Sequence, residues 1–327
     1  MQSEESHSPN AYFHLPRTSE IHHSDKLFSH HVTMAMFHNE ISIVIYINDL
    51  PNKITSTLKL FADDSYLYRI IKNPQDILEL QKDLDMLSEW ENDWSMEFNP
   101  DKCKMLRITN KRKPIIADYT LHDHELEAVD SAKYLGILVH KRLSWKLHVD
   151  NVCKRANQTR AFLQRNLKDC PIDIKSQCYN TYVRPKLEFA SVVWDPVGEG
   201  NDCLRNQIEM VQRRAARFAL NDWRQDSSPT EMIERLKWQT LEERRHVARL
   251  MFMHKFENNV IDIDDHIIMR SRRINSSFQP VFSRVRPYAN SFIPRTRHDW
   301  NSLPSHIRTE GNTTKFKTKL ITYMHSK

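Results

Sequence analysis

The sequence predicts an α+β fold, in which an antiparallel β-hairpin with helices comes first and a mostly α-helical part follows. Up to about residue 140, short apolar, β-branched segments alternate with turn residues, a pattern typical of strands. From Trp145 onward, apolar residues recur at helical spacing. The charge changes at the same place: residues 1–140 hold 14 basic and 22 acidic residues (14 − 22 = −8), and residues 141–327 hold 34 and 20 (34 − 20 = +14). The chain therefore joins an acidic, sheet-forming half to a basic, helical half.

The first segments of the chain carry weak structural signals. Residues 1–40 contain seven of the 17 histidines and no sustained periodicity, so we expect an unassigned, disordered tail. A metal site is the alternative, but the histidine spacings match no standard ligand pattern. Residues 41–47 form an apolar run that is either a strand or the last turns of a buried helix.

The next segments predict a β-hairpin followed by a helix and further strands. Residues 58–62 and 65–71 are apolar runs separated by Asp63 and Asp64, which places the two aspartates at the hairpin tip. A helix opens at Pro74 with Asn73 as its N-cap, and its apolar face is formed by Ile77, Leu80, Leu84, Leu87 and Trp94. Further strands are expected at Lys104–Ile108 and between residues 115 and 139, where Gly136 allows a bend or a close backbone approach.

The second half predicts three helices, over residues 145–168, 206–220 and 240–257. The first has an apolar stripe of Val149, Val152, Ala156, Leu163 and Leu167. In the second, three arginines lie opposite the apolar residues, so we expect that replacing Arg213, Arg214 and Arg217 leaves stability almost unchanged. The third begins with Thr240 and Glu243 at capping-box spacing. After residue 271 we expect irregular chain around a few short elements.

The composition excludes several classes of protein. The mean hydropathy is −0.65, and no apolar run approaches the ~20 residues that a membrane span needs. The N-terminus lacks the pattern of a secretory signal, and the five cysteines include no CxxC pair, so neither a disulfide framework nor a zinc site is indicated. We expect an intracellular protein, nuclear or cytoplasmic and not secreted. The basic half favours a polyanion as partner, with a solvated helical surface as the alternative.

Asp63 and Asp64 are the sharpest chemical signal in the chain. Two adjacent carboxylates repel each other unless solvent or cations relieve the repulsion. Carboxylate oxygens suit Mg²⁺, and pairs of such ions stabilise the attacking and leaving oxygens in nucleotidyl transfer. An exposed Asp-Asp turn without chemistry is the alternative interpretation.

The order of motifs carries a family resemblance. YINDLP (46–51) precedes FADD (61–64), and NPDKCK (99–104) and YLG (134–136) follow. Later segments continue the series, including YNTYVRPKLEFASVVWDP, VQRRAARF and RTRHDWNSLP. Together they resemble the reverse transcriptases of non-LTR retrotransposons, jockey-like elements in particular. The resemblance implies a partial polymerase palm over residues 41–140, a thumb-like helical region over 141–200 and a basic helical C-terminal region over 201–327.

The resemblance also implies roles for individual residues. Asp63 and Asp64 would hold catalytic Mg²⁺, and Lys102 would lie near the departing pyrophosphate, with an ordinary strand-edge lysine as the alternative. Tyr134, Leu135 and Gly136 would form the primer grip. An RNA template and a DNA primer would be the partners, and no obligate protein partner is evident. Their backbones would contact the basic residues Lys154, Arg160, Arg165, Arg213, Arg214 and Arg217.

Two departures from the family pattern concern activity. The family's first metal-binding aspartate lies upstream of the FADD motif, and neither Asp25 nor Asp49 has its context. The Gly-rich loop that precedes the YINDLP-like segment in the family is replaced by MFHNE (36–40). We therefore expect an N-terminally truncated RNA-directed DNA polymerase with an incomplete metal site, inactive alone. The rival hypotheses are a non-catalytic RNA- or DNA-binding protein and a fragment without function.

Overall fold

The computed structural model describes residues 10–15, 50, 54–61, 64–94, 98, 102–198, 200–261, 263, 271, 277–280 and 286–326. The chain divides into two compact units, Met1–Ser144 and Trp145–Lys327, which we call the sheet unit and the helical unit. The described elements are mixed helices and small sheets, in agreement with the predicted α+β class. The predicted division into palm, thumb and C-terminal region stays a prediction.

The sheet unit is built around one five-stranded sheet. Its elements are β1 (Asn10–Leu15), β2 (Thr57–Phe61), β3 (Asp64–Ile70), α1 (Pro74–Trp94), β4 (Lys104–Ile108), β5 (Thr120–Leu121), β6 (His124–Glu125), β7 (Glu127–Val129), β8 (Ser131–Tyr134) and β9 (Ile137–His140). The strand order in the main sheet is β2-β3-β1-β4-β7, antiparallel except for the parallel pair β4 and β7. Strands β5 and β6 form one separate hairpin, and β8 and β9 form another.

Strand β1 corrects the expectation of a disordered tail for residues 10–15. It pairs with β3 from Asn10↔Ile70 to Leu15↔Ser65 and with β4 over Asn10 to His14. Both partners are distant in sequence, so the backbone pairing that defines this strand leaves no mark in the local residue pattern. The rest of residues 1–40 and the apolar run 41–47 lie outside the described residues.

The predicted hairpin is present, with its bounds moved by one residue. Strands β2 and β3 pair from Thr57↔Tyr68 to Phe61↔Asp64, so Asp64 is the first residue of β3 rather than part of the tip. Residues 62 and 63, which connect the strands, lie outside the described residues, and the predicted position of Asp63 lies there with them. The burial pattern of β2 alternates at every residue, as expected for a strand with one covered face.

Helix α1 covers the sheet and is held at its start by two interlocking contacts. Asn73 Oδ1 accepts the Asp76 N–H at 3.1 Å, which confirms the predicted N-cap, and Asp76 Oδ2 accepts the Asn73 N–H at 3.0 Å. Leu80, Leu84 and Leu87 of the predicted apolar face are fully buried. They form the core of the unit with residues that include Leu67, Trp90, Phe98 and Met105.

Most of the described residues of the helical unit lie in helices. They are α2 (Lys146–Asn166), α3 (Ile172–Cys178), a π-helical turn (Tyr179–Val183), α4 (Arg184–Glu188), α5 (Ser191–Trp194), α6 (Asp202–Leu220), α7 (Pro229–Arg235), α8 (Leu241–Glu257), α9 (Arg286–Ala289), α10 (Phe292–Asn301), α11 (Ser305–Arg308) and α12 (Thr313–His325). Among all the helices that the structure describes, none combines the length and apolar character of a membrane span.

The three predicted helices of this half are present. Four of the five predicted stripe residues of α2 are buried, and Leu167 packs half-buried against them. The capping box of α8 is confirmed, because Thr240 Oγ1 accepts the Glu243 N–H at 3.1 Å and Glu243 accepts the Thr240 N–H. Helix α6 begins at Asp202, earlier than predicted. For the chain after residue 271 the prediction was irregular chain around a few short elements. Between residues 286 and 325 the structure describes the helices α9 to α12, and α10 and α12 pack Trp300 and Phe316 into a core with α8.

Candidate functional site

One face of the β2-β3 hairpin carries polar and aromatic residues. Because side chains alternate along a strand, Asp64, Tyr66 and Tyr68 share one face of β3, and all three are half-buried. Ser65 and Leu67 point to the opposite face and are fully buried. The outer face therefore holds a carboxylate at its end and two tyrosines behind it.

The β8-β9 hairpin brings the predicted primer-grip residues to this face. Tyr134 pairs with Ile137, and the two connecting residues, Leu135 (φ 44°) and Gly136 (φ 85°), both have positive φ, as a type I′ turn requires. Gly136 adopts this conformation without a steric cost, whereas the same conformation is sterically unfavourable for Leu135. The Tyr134 ring stacks on the Tyr66 ring, with centroids 4.6 Å apart and an interplanar angle of 27°.

Asp64 and Tyr134 are close enough to interact electrostatically. Burial raises the pKa of the Tyr134 hydroxyl, and the negative charge of Asp64 raises it further. Two residues that lie far apart in the sequence, each predicted as a site residue, thus share one face of the sheet unit. Tyr66 was not among the predicted site residues, although its spacing of two from Asp64 already placed it on the same face.

The other predicted residues of this site are less closely joined. Lys102 is exposed just before β4, and it makes no ion pair with any described residue. Leu135 is 37% exposed at the hairpin turn. Among the described residues, no three His, Cys, Asp or Glu side chains lie close enough together to hold a metal ion. The roles of Asp63, Asp64 and Lys102 and the binding of Mg²⁺ therefore stay predictions.

The three arginines predicted as one face of α6 lie in three different environments. Arg217 donates to three backbone carbonyls of the following loop: Arg224 O at 2.9 Å, Ser227 O at 3.0 Å and Asp222 O at 3.4 Å. Its replacement would remove these loop contacts, so the structure predicts a loss of stability at this residue where the sequence predicted almost none. Arg213 lines a cleft together with the carboxylates of Glu209, Glu234, Glu242 and Glu243.

Arg214 is exposed and lies near Arg160 of α2. Arg160 donates to Gln164 Oε1 at 2.7 Å and to Asn157 Oδ1 at 3.4 Å. Burial lowers the pKa of its guanidinium, and the positive charge of Arg214 lowers it further. The packing of α2 on α6 thus brings together two cations that the sequence pattern places on the faces of two separate helices. Lys154, on the same helix, is exposed.

A second group of cations lines a cleft between α2, α3 and the end of α6. This basic cleft has a volume of about 400 Å³ and is lined by Ala161, Gln164, Arg165, Lys168, Lys175, Phe218, Asn221 and Trp223. Of these residues only Arg165 is a predicted site residue. Lys175 and Trp223 were missed, because only the tertiary packing places them beside Arg165.

Other arginines of the helical unit form ion pairs in a buried cluster around Asp195. Arg245 Nε donates to Asp195 Oδ1 at 2.7 Å, and Arg295 Nη1 donates to Oδ2 at 2.8 Å. Arg249 bridges Asp195 and Asp299, with Nη2 at 3.1 Å from Asp299 Oδ2. We call these five residues the Asp195 cluster. Burial alone would raise the pKa of Asp195, but the three guanidiniums lower it below its ordinary value. The cluster joins two of the family-like segments, WDP and RTRHDW.

Comparison with known proteins identifies relatives among mobile elements. The chain is 29% identical over 200 residues to a probable RNA-directed DNA polymerase from transposon BS of Drosophila melanogaster. It is 24% identical over 183 residues to the probable enzyme from transposon X-element, and 22% over 190 residues to the RNA-directed DNA polymerase from mobile element jockey, both of the same species. No family model matches the chain.

These alignments cover 59%, 53% and 53% of this chain and 22%, 20% and 20% of the relatives. The chain thus spans about a fifth of the length of the curated relatives that it matches. The resemblance to reverse transcriptases of non-LTR retrotransposons, read from the motifs, is confirmed by these similarities.

Proposed function

We propose that this chain is part of an RNA-directed DNA polymerase of a non-LTR retrotransposon, in which the sheet unit is a partial palm and the helical unit contains the thumb. One observation carries the proposal: Asp64 of the FADD motif and Tyr134 of the YLG motif meet on one face of the sheet unit. In the family that the motifs resemble, these positions hold the catalytic metal and the primer end. RNA template and DNA primer are the substrates that follow from this assignment.

The chain's own residues would have separate tasks in such a site. Asp64, together with Asp63, would hold Mg²⁺, which supplies charge for nucleotidyl transfer when bound. Tyr134, fixed by its stacking on Tyr66, would position the primer strand. Lys102 is exposed and free of ion pairs with described residues, so its ammonium is available to an anionic leaving group.

The donor set for Mg²⁺ is incomplete in the part of the chain that the structure describes. Strand β1 lies directly beside β3, and its sequence NAYFHL contains no acidic residue. Asp64 therefore gains no second carboxylate from its neighbouring strand β1, and we derive no catalytic step through the metal. We propose that the 327-residue chain binds template and primer but does not extend the primer by itself.

Primer extension and binding, measured in the same samples, test this proposal. The purified chain should shift a primed RNA template in a native gel and should leave the primer length unchanged with Mg²⁺ or Mn²⁺. Extension that is lost in Asp64→Asn and kept in Asp123→Asn, an exposed turn aspartate of the same unit, would show that the site is complete. Absence of any shift at low salt would remove nucleic acid as the substrate.

A non-catalytic nucleic-acid-binding protein is the second candidate. It is favoured by the approach of Arg160 and Arg214, two like charges brought together by helix packing. Such a pair repels in the free protein and is relieved by a polyanion. This candidate shares the binding result above and differs in requiring no contribution from Asp64 or Tyr134.

A further inference from the structure

The basic cleft contains a lysine whose stem is buried and whose ammonium reaches the solvent of the cleft. Lys175 is 4% exposed, yet it forms no ion pair and no side-chain hydrogen bond with the described residues. Its ammonium lies 5.5 Å from the centre of the Phe218 ring, a cation–π contact that leaves the three N–H donors unused. The buried stem and the Phe218 ring hold this ammonium in the cleft, where its donors are available to an anionic ligand.

The remaining charges of the basic cleft have the same sign. Arg165 and Lys168 are exposed at its rim and make no ion pair with described residues, and no carboxylate is among the residues that line the cleft. Cations near the end of α2 also compensate the partial negative charge of a helix C-terminus. That explanation does not extend to Lys175, because α3, the π-helical turn and α4 follow without a break and place Lys175 near the start of a helical segment.

An aromatic ring is exposed at the side of these cations. Trp223 is 49% exposed and lines the cleft just after the left-handed residue Asn221, which ends α6. An exposed indole beside a group of cations complements what a nucleotide of an unpaired strand presents, a flat base and a charged phosphate. The volume of about 400 Å³ lies within the range of small-ligand pockets.

We propose that the basic cleft is a subsite for single-stranded nucleic acid, in which Lys175, Arg165 and Lys168 hold a phosphate and Trp223 stacks on the adjacent base. The proposal rests on the proposed function, since it names the strand that the helical unit binds. A duplex supplies the phosphate but keeps its bases stacked inside. The contribution of Trp223 is therefore specific to single strands.

Binding of labelled oligonucleotides to the full chain tests the proposal. The probes are an oligouridine of about 12 nucleotides, within the site size of single-strand binders, and an RNA–DNA duplex of the same length. Trp223→Leu should weaken oligouridine binding about tenfold and duplex binding less than about twofold. Lys175→Met should weaken binding of both probes and lower the slope of log affinity against log salt by ~0.7 for the single strand. Lys317→Gln, an exposed lysine of α12, is the matched control and should change either affinity less than about twofold.

Thermal unfolding of the same variants separates a binding role from a structural one. Because the Lys175 stem is buried and its ammonium reaches the solvent of the cleft, Lys175→Met keeps the buried contacts and should change the melting temperature by less than about 2 °C while it weakens binding. A lower melting temperature with unchanged binding would make Lys175 a structural residue and overturn the assignment. If Trp223→Leu and Lys175→Met change binding no more than Lys317→Gln does, the proposed subsite is overturned while the proposed function stands. A wild-type chain that binds neither probe at low salt would overturn the proposed function as well.

Discussion

The Asp195 cluster and the basic cleft lie in the same helical unit, but only the cations of the Asp195 cluster have carboxylates as neighbours. In the Asp195 cluster, Arg245 and Arg249 are 1% and 2% exposed and are held by two carboxylates. In the basic cleft, the stem of Lys175 is buried but its ammonium reaches the solvent, and no carboxylate is among the described residues that line the cleft. The net charge of +14 for residues 141–327 (34 − 20) counts both groups alike. Only cations of the second kind are available to a polyanion, so charge totals overstate binding capacity.

The largest effect expected from this difference is on stability. Asp195→Asn leaves three guanidiniums around an uncharged amide, so the free energy of unfolding should fall by about 3–5 kcal/mol. The control is Asp169→Asn, an exposed carboxyl in the same unit, which should change it by less than about 0.5 kcal/mol. Urea denaturation measures both values. A loss below about 1 kcal/mol for Asp195→Asn would mean that the cluster is solvated and comparable to surface pairs.

The pH dependence of the same variant sharpens the assignment. The pKa of Asp195 in the folded protein is below its ordinary value of 3.8. Its contribution to the free energy of unfolding is therefore complete above pH 3.8 and is lost as the pH falls through the folded pKa. The difference in unfolding free energy between wild type and Asp195→Asn should stay constant from about pH 7 to 5 and shrink below about pH 4. Burial raises the pKa of nearby Glu209 and lowers that of His246, and the negative charge of Asp195 partly offsets the lowering at His246, so the substitution also alters the titration of His246. A difference that already shrinks near pH 6 would point to His246 instead.

A smaller loss of stability is expected at Arg217, which belongs to neither group. Arg217→Gln removes the donors to three loop carbonyls, and the free energy of unfolding should fall by about 1–3 kcal/mol. Arg213→Gln, one turn earlier on α6, is the matched control and should cost less than about 0.5 kcal/mol. Equal, small effects of both substitutions in urea denaturation would restore the original expectation that stability is unchanged.

The helices and strands of the fold were largely predictable from the sequence, while the contacts between distant segments were not. The hairpin, α1 with its Asn73 cap and the Thr240 capping box follow from periodicity and cap residues that lie within a few positions of each other. Strand β1 was missed, because its pairing partners β3 and β4 are distant in the sequence. The same limit applies to the arginines: Arg295 is 100 positions from Asp195, so nothing local separates it from a surface arginine.

The candidate site divides in the same way between local and tertiary information. Asp64 and Tyr134 were predicted because each lies in a short motif, FADD or YLG, that resembles a family pattern. Tyr66, Lys175 and Trp223 belong to no such motif. Their relevance comes from a ring stacked across two hairpins and from a cleft formed by three helices. A sequence motif therefore identifies candidate residues, and only tertiary packing identifies what completes their site.

The smallest expected effect is on nucleic-acid binding, and it concerns Arg160 and Arg214, the like-charged pair between α2 and α6. If each contacts one phosphate, Arg160→Gln with Arg214→Gln should lower the slope of log affinity against log salt by about 1.4–1.8, because each lost contact no longer releases counterions. The order of preference among sequences should not change, since phosphate contacts carry no base information. The control is the double variant Lys315→Gln with Lys317→Gln, which removes the same charge from exposed positions of α12 and should leave the slope within about 0.5. Equal slopes for the two double variants would mean that total charge governs binding, rather than the packing that brings Arg160 to Arg214. The distinction between paired and available cations would then have no consequence for binding.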